Sequence, residues 1–467
     1  MDRIAGLETE YGCLTDDPAG PPSVVGRVRN WLFDQHRLGL ADLHQRDWDE
    51  PAGNGGFLFN GGRAYVDMGH LEYCTPECLS LKDVLLYDQA GDAILGRALQ
   101  ELRLAERVGF IRNNVDHYTG ATFGCHENYL VNRSAPLTES NVLALLAFLT
   151  VRVLYCGSGR IGATPGAELR GDLSRRGADQ FFQMSQRADY ITNDLFEWVQ
   201  FNRAIINTRD EPLADGRRYR RLHLLHGDTS VLPVTLLLKV GTTALVLDLL
   251  ELNRLPALAL ADAVSTFHAL SHQPTGPWRV RLANDCEADA LVVLRSFYQA
   301  ARREFKGRDQ ETSDLLRLWD SVLTALEEDP EQLVGRVDWV TKRWLFERFI
   351  EREHITWSDP WLRSLDLEFH HVDPARNLAL PLDQTPVEWR WTAGELLDAT
   401  YVPPVNTRAH ARSQIMHLLK HQAIRYSVDW ELIDVDGITP LNLVNPFEAR
   451  PPELEPWTRH LARAAAP

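Results

Sequence analysis

Strand-like segments crowd the first half of this chain and long helical stretches the second, a segregation that constrains the fold more tightly than any other feature. Arg3 to Cys13, Gly56 to Asp67 and Phe110 to Val131 are rich in β-formers around turn residues, and Ser185 to Leu225 interleaves β-formers with Arg, Asp and Glu. Apolar residues recur at helical spacing from Val24 to Leu38, Leu81 to Leu104, Thr235 to Leu252, Glu287 to Glu328 and Asp338 to Glu353. Strands first and helices later predict an α+β fold with an antiparallel sheet, since a parallel sheet needs a crossover after each strand. At 467 residues the chain exceeds the usual single-domain size. Proline and polar residues gather between Pro374 and Pro404, so a linker to a small C-terminal unit is expected there.

Charge narrows the partners. A formal net charge of -16 has the wrong sign for gripping a polyanion, so no nucleic-acid partner is expected. The basic run Arg217, Arg218, Arg220 and Arg221 fits a small anionic ligand or a solvated face. The apolar stretch Val142 to Leu149 is well short of the ~20 residues of a membrane span and reads as a buried helix, and no membrane partner is expected. The N-terminus lacks the apolar stretch of a signal peptide. Six scattered cysteines match neither a zinc site nor a disulfide framework, which points to reduced thiols and a cytoplasmic location. No GxGxxG or GxxxxGK[ST] motif is present, so a Rossmann or P-loop nucleotide site is not expected.

Three groups of residues can carry chemistry. Glu8 and Glu10 lie two apart on a strand and share a face of the pleat, as do Arg63, Tyr65 and Asp67 on the next. Glu8, Glu10, Tyr65 and Asp67, with Glu72 and Glu77, offer oxygen ligands for a hard cation, or are independent surface acids. Asn113, Asn114, Asp116, His126, Glu127 and Asn128 form the second group; His126 and Asn128 share a strand face, where they orient a phosphoryl oxygen, bind metal or simply satisfy a core. The third group is cationic: Arg187, Arg209, Arg221 and His223 fit phosphoryl clamps, or structural ion pairs with Asp189, Asp210 and Glu211.

The motifs GLETEYG, NGGRAYVD, EYCTPEC, NNVD, GCHENYL, SQRADY, INTRDEP, YRRLH, LKVGTTALVLDLLE, DWVTKRWLF and SVDW run in order across nearly the whole chain. Together they resemble the Pup ligase and depupylase family, the PafA-like and Dop-like proteins of the glutamine synthetase-like carboxylate-amine ligases. That resemblance implies a glutamine synthetase-like catalytic domain over residues 1–390, an antiparallel cradle backed by helices, and a small C-terminal domain over 391–467. It implies ATP and Mg²⁺ as cofactors, and a small Pup-like protein modifier and modified proteins as partners. Carried over motif by motif, Glu8, Tyr65 and Glu72 are expected as Mg²⁺ ligands, with Glu10 grouped beside them on spacing. Arg63, Thr75 and Trp430 are expected to contact ATP. Asp67 is expected as the catalytic carboxylate, and His126, Arg187, Arg209 and His223 at the phosphate and substrate end.

Within the family, NNVD, GSGRIG, SQRADYI, KVGTTALVLDLLE and the short Asp67 to Glu72 spacing resemble the depupylase, whereas GCHENY resembles the ligase. The expectation leans to Dop-like cleavage of a glutamyl isopeptide or deamidation of a terminal glutamine. The alternatives are PafA-like ligation through a glutamyl phosphate, a divergent phosphotransferase or ATPase acting on another carboxylate or phosphoryl acceptor, and a non-catalytic ATP-binding regulator. Leu71, Leu213 and the segment GDTSVLP depart from the family pattern, and Glu168 to Asp179 reads as an insertion; these changes fall on the substrate side.

Overall fold

The computed structural model describes residues 1–34, 37–44, 50–117, 119–162, 182–198, 203–422 and 424–464; the expected insertion at 168–179 lies outside them. Its centre is a ten-stranded sheet built on β1 (Ala5–Thr15). The other early strands are β2 (Gly39–Ala41), β3 (Gly55–Leu58), β4 (Arg63–Asp67), β5 (His70–Cys74), β6 (Val108–Ile111) and β7 (Cys125–Asn132). A two-stranded ribbon, β8 (Arg160–Ile161) with β9 (Phe182–Gln183), precedes β10 (Ile191–Phe196), β11 (Arg203–Asn207) and β12 (Tyr219–Leu224). The order across the sheet is β10-β11-β12-β7-β1-β5-β4-β3-β2, with β6 pairing the far end of β1. Among the described residues the pairs are antiparallel except β10 with β11, which run parallel, so the expected antiparallel cradle is a mixed sheet at that edge.

β1 shows how the sequence sets the two faces. Ala5, Leu7, Thr9 and Tyr11 are buried, while Gly6, Glu8 and Glu10 face the more open side. Helix Leu81–Glu101 covers the buried face and is started by Ser80, whose hydroxyl accepts from the Asp83 amide. Behind it lie Glu139–Val151 and Pro233–Glu251, apolar nearly all round because protein surrounds them. Glu139–Cys156, which adds a short second helix to the first of these, and Pro233–Glu251 are long and apolar enough to cross a bilayer by composition, and here they are core helices, mostly buried. The helical stretch expected over Glu287 to Glu328 is two helices, Ala290–Phe305 and Gln310–Glu328, broken where Gly307 takes a positive φ of 82°. The Asn-Gly-Gly in Gly56 to Asp67, read as a turn or bulge, is the turn of a hairpin, β3 and β4, at Asn60 and Gly61.

A small ribbon of β13 (Arg279–Arg281) and β14 (Glu287–Asp289) precedes the outer helices. The chain ends in a three-stranded sheet, β15 (Tyr426–Val428), β16 (Leu432–Val435) and β17 (Ile438–Asn442), flanked by helices Arg408–Leu419 and Leu454–Ala464. These carry their own apolar core, including Ile415, Ile433 and Trp457, which packs onto Leu40, Phe57 and Phe59 of the cradle edge. Helix Ala393–Ala399 lies past residue 390 yet packs on helix Leu81–Glu101 of the main body.

Candidate active site

Strand registry gathers the acids. Across β1, Glu8 stands opposite His126 of β7 and Cys74 of β5, and Glu10 stands opposite Glu72. Tyr65 of β4 also faces Glu72, and His223 of β12 faces Asn128. The Glu8 carboxylate contacts His126 Nδ1 at 3.0 Å, accepts from Asn128 Nδ2 at 2.8 Å, and lies 3.5 Å from His223 Nε2 and 3.9 Å from Arg221 Nη1. Tyr65 donates its phenol to Glu72 at 2.6 Å. One carboxylate oxygen from each of Glu10, Asp67 and Glu72 lies within 4.8 Å of the others, and Glu8, His126 and His223 form a second group of that size.

These charges do not cancel. Burial, followed by the carboxylates of Glu8 and Glu10, pushes Glu72 well above the usual carboxylate range. Burial opposes the charge of Glu8 as well, but His223 and His126 outweigh it and hold that carboxyl well below its ordinary value. Burial in turn lowers His223 to about 4, against the opposing pull of the Glu8 carboxylate. An oxygen-rich set with uncancelled negative charge suits a hard divalent cation, and the residues therefore fit the Mg²⁺ that the sequence reading expects.

Two local devices hold the set in place. Asp67 faces His70 across a two-residue turn, Met68 and Gly69, whose φ values of 46° and 92° are those of a tight hairpin turn. The His70 ring packs against Phe123, with centroids 4.6 Å apart. Gly124 passes so close to the acids that a Cβ there would sit 2.5 Å from both Glu10 Oε1 and His126 Nε2.

The cationic residues flank this cluster. Arg187 is buried, donates from Nη1 to the Phe123 carbonyl, and is lowered to about 10 by burial and the like charge of Arg203. Asp228, inside GDTSVLP, ties down its loop by accepting from the amides of Ser158, Gln186 and Arg187. Arg209 stands at the rim, 55% exposed and paired with Glu211 at 2.6 Å, away from the Glu8 contacts. Among the described residues Asn128 Oδ1 beside Glu8 is buried without a hydrogen-bond partner, as are guanidinium Nε atoms both in the site (Arg187, Arg221) and in the scaffold (Arg3, Arg152).

The expected nucleotide residues occupy different settings. Arg63 is held by both oxygens of Glu50 at 3.2 Å, and its guanidinium lies 4.3 Å from the Tyr65 ring centroid. Thr75 exchanges bonds with β1, accepting from the Leu7 amide at 3.0 Å, and is buried. Trp430 comes from the C-terminal unit and meets Phe57 edge to face at 5.0 Å. Leu71 is buried in β5 between β1 and β4, where an apolar residue with an amide proton suits a paired central strand better than proline.

The model of the family described as Pup-ligase protein matches residues 3–434. This chain belongs to that family. It is 33% identical to a depupylase of Acidothermus cellulolyticus over 96% of this chain and 94% of that protein. It is 34% identical to a Pup–protein ligase of Nocardia farcinica, over 92% of each chain. It is 35% identical to a Pup deamidase/depupylase of Mycolicibacterium smegmatis, over 94% of this chain and 92% of that one. Among solved structures it is similar to the complex between the prokaryotic ubiquitin-like protein Pup and its ligase PafA, with a TM-score of 0.83, 31% identity, and coverage of 100% of this chain and 92% of that one. PafA in complex with ADP matches with a TM-score of 0.77 and 32% identity, over 90% and 92%. The fold is thus the mixed α+β architecture of PafA, and the protein is an enzyme of the Pup ligase and depupylase family.

Glu50, Gly124, Arg203 and Asp228 escape the sequence reading. Glu50 and Gly124 sit in loops where no periodicity marks them, and Arg203 and Asp228 act through partners that only the fold brings near.

Proposed function

We propose that this protein acts on the side-chain carbonyl of a glutamyl residue at the end of a Pup-like modifier, cleaving its isopeptide bond to lysine or deamidating a terminal glutamine. The observation that carries the reading is the position of Asp67, its carboxylate gathered with those of Glu10 and Glu72 at the end of a tight hairpin. Glu8, Glu10, Tyr65 and Glu72 would hold Mg²⁺, and Arg63, Thr75 and Trp430 the nucleotide. When bound, the metal and ATP supply charge neutralisation and a phosphate-bearing scaffold at the reacting end. Asp67 attacks the glutamyl carbonyl or takes a proton from the attacking water. Arg187, His126 and His223 orient the oxygens that gain charge, and Arg209 at the rim meets the incoming substrate. The short Asp67 to Glu72 connection, which resembles the depupylase branch, favours cleavage. A cytoplasmic site of action accords with the six unpaired cysteines.

A second reading is ligation of the modifier's glutamate to a substrate lysine, favoured by GCHENYL, whose His126 and Asn128 hold Glu8. Incubation with Mg-ATP and Pup-type peptides ending in Gln or Glu, with and without a lysine-bearing acceptor, separates the two. Release of ammonia from the Gln peptide, or of modifier from a conjugate, supports cleavage. Conjugation of the Glu peptide without either release replaces it with the ligase reading. ATP hydrolysis indifferent to peptide points to another acceptor, and ATP binding with no reaction to a regulator.

A further inference from the structure

Arg412, 0% exposed, joins three parts of the molecule. Its Nη1 donates to Glu77 Oε1 and to the Trp430 carbonyl, both at 3.0 Å. Its Nη2 donates to Glu77 Oε2 at 2.6 Å and to the Gly61 carbonyl at 2.7 Å. The same guanidinium lies 4.9 Å from the Trp430 ring centroid and 5.2 Å from that of Phe57. Phe57 is 6.0 Å from the Arg63 guanidinium, so cations and rings alternate from Trp430 through Phe57 to Tyr65.

An ion pair that merely docked the C-terminal unit needs no ring contacts. Glu77 is already fastened there by Arg408 Nε at 2.6 Å and, through its carbonyl, by the Thr407 hydroxyl. Trp430, by contrast, stands in the short connection between β15 and β16, outside both strands, and is only partly buried. Its backbone carbonyl and its indole are both anchored by one guanidinium, whose planar fork fixes direction as well as distance. Burial pushes Glu77 up, but Arg412 and Arg408 outweigh it and hold it at about 2, so the clamp stays charged near neutrality.

We propose that Arg412, clamped by Glu77, is a positioning residue for base recognition: it sets the Trp430 indole as the wall against which the purine of ATP stacks. The inference rests on the assignment of Trp430 to the nucleotide site. The contacts of Arg412 are with Glu77, Trp430, Gly61 and Phe57 and not with the acids Glu8, Glu10 and Glu72, so phosphate binding at that cluster separates positioning from a general loss of structure.

The test compares binding of Mg-ATP and Mg-tripolyphosphate to the full chain by titration calorimetry. Arg412→Lys and Glu77→Gln are expected to weaken ATP by about tenfold, the scale of one lost base-stacking contact, while tripolyphosphate affinity holds. The Arg412→Lys/Trp430→Ala double variant is expected to bind ATP no more weakly than Trp430→Ala. In 5-fluorotryptophan protein the ¹⁹F resonance of Trp430, assigned by its loss in Trp430→Phe, is expected to shift in both clamp variants. Glu77→Gln keeps the side-chain shape and serves if Arg412→Lys does not fold. Equal weakening of both ligands, or additive loss in the double variant, overturns the inference. If Trp430→Ala weakens ATP and the clamp variants do not, the inference alone falls. If Trp430→Ala leaves ATP binding intact, the assignment of Trp430 falls and takes the inference with it.

Discussion

Strand β7 carries charge to both of its faces, with opposite results. Inward, Glu127 is 0% exposed and accepts from Arg152 Nη1 at 3.0 Å and from Tyr129 at 2.6 Å. Burial works against its charge, but Arg152 and Lys239 outweigh it and lower the carboxyl. Outward, His126 and Asn128 meet an excess of acids whose cations stand at the margins, and Glu72 is raised instead. Buried charge balanced within the chain belongs to the scaffold. Charge left unbalanced marks where a ligand completes the structure.

Four experiments press on that contrast, beginning with the largest effect. Asp67→Asn is expected to keep Mg-ATP binding in calorimetry while lowering turnover by about a thousandfold or more, because it replaces the carboxylate proposed to react and leaves Glu8, Glu10, Tyr65 and Glu72 in place. Turnover near wild type would remove Asp67 from its role. On the balanced face, Glu127→Gln is expected to cost about 3 kcal/mol of unfolding free energy by leaving Arg152 buried and unpaired. The matching change on the unbalanced face, Glu72→Gln, is expected to leave the metal-free protein as stable or stabler while Mg²⁺ affinity drops. Losses of equal size in the two variants would erase the distinction between the faces.

Gly124→Ala sits between the acid and imidazole groups, and its Cβ must displace Glu10 or His126. About a hundredfold loss in kcat with little change in Tm is the expected result, since misplacing a catalytic group by roughly 1 Å costs that much. The smallest effect, read over a single pH unit, concerns His226, which burial and then the charge of Arg152 lower from 6.5 to about 3. Between those values only the unfolded chain binds the proton, so stability falls as pH drops, by up to about 1.4 kcal/mol per pH unit. Denaturant titrations from pH 6.5 downward are expected to show a shallower decline in His226→Gln than in wild type.

Much of this site was visible in the sequence because strands betray their faces. The period of two places Glu8 with Glu10, Arg63 with Tyr65 and Asp67, and His126 with Asn128, and each of these pairings appears in the fold. Registry between strands has no such signature: nothing local says that Glu10 will face Glu72 or that His223 will stand beside Asn128. Loop residues were hidden for a second reason. Gly124 matters for the side chain it lacks, and Glu50 for a partner thirteen positions on. Arg209, grouped with the cations by motif, stands exposed at the rim with Glu211. The parallel edge of β10 and β11 also went unread, since strand composition does not encode direction.

The clamp of Arg412 on Glu77 spans 335 residues. A ribosome adding about 5–20 residues per second takes tens of seconds to cross that interval. Through most of that time the emerging cradle carries its carboxylates with no aromatic wall beside them. On the proposed role of Trp430, the growing polypeptide passes a long stage able to fold much of its sheet before the purine wall exists, and base recognition becomes one of the last properties the molecule acquires as it is made.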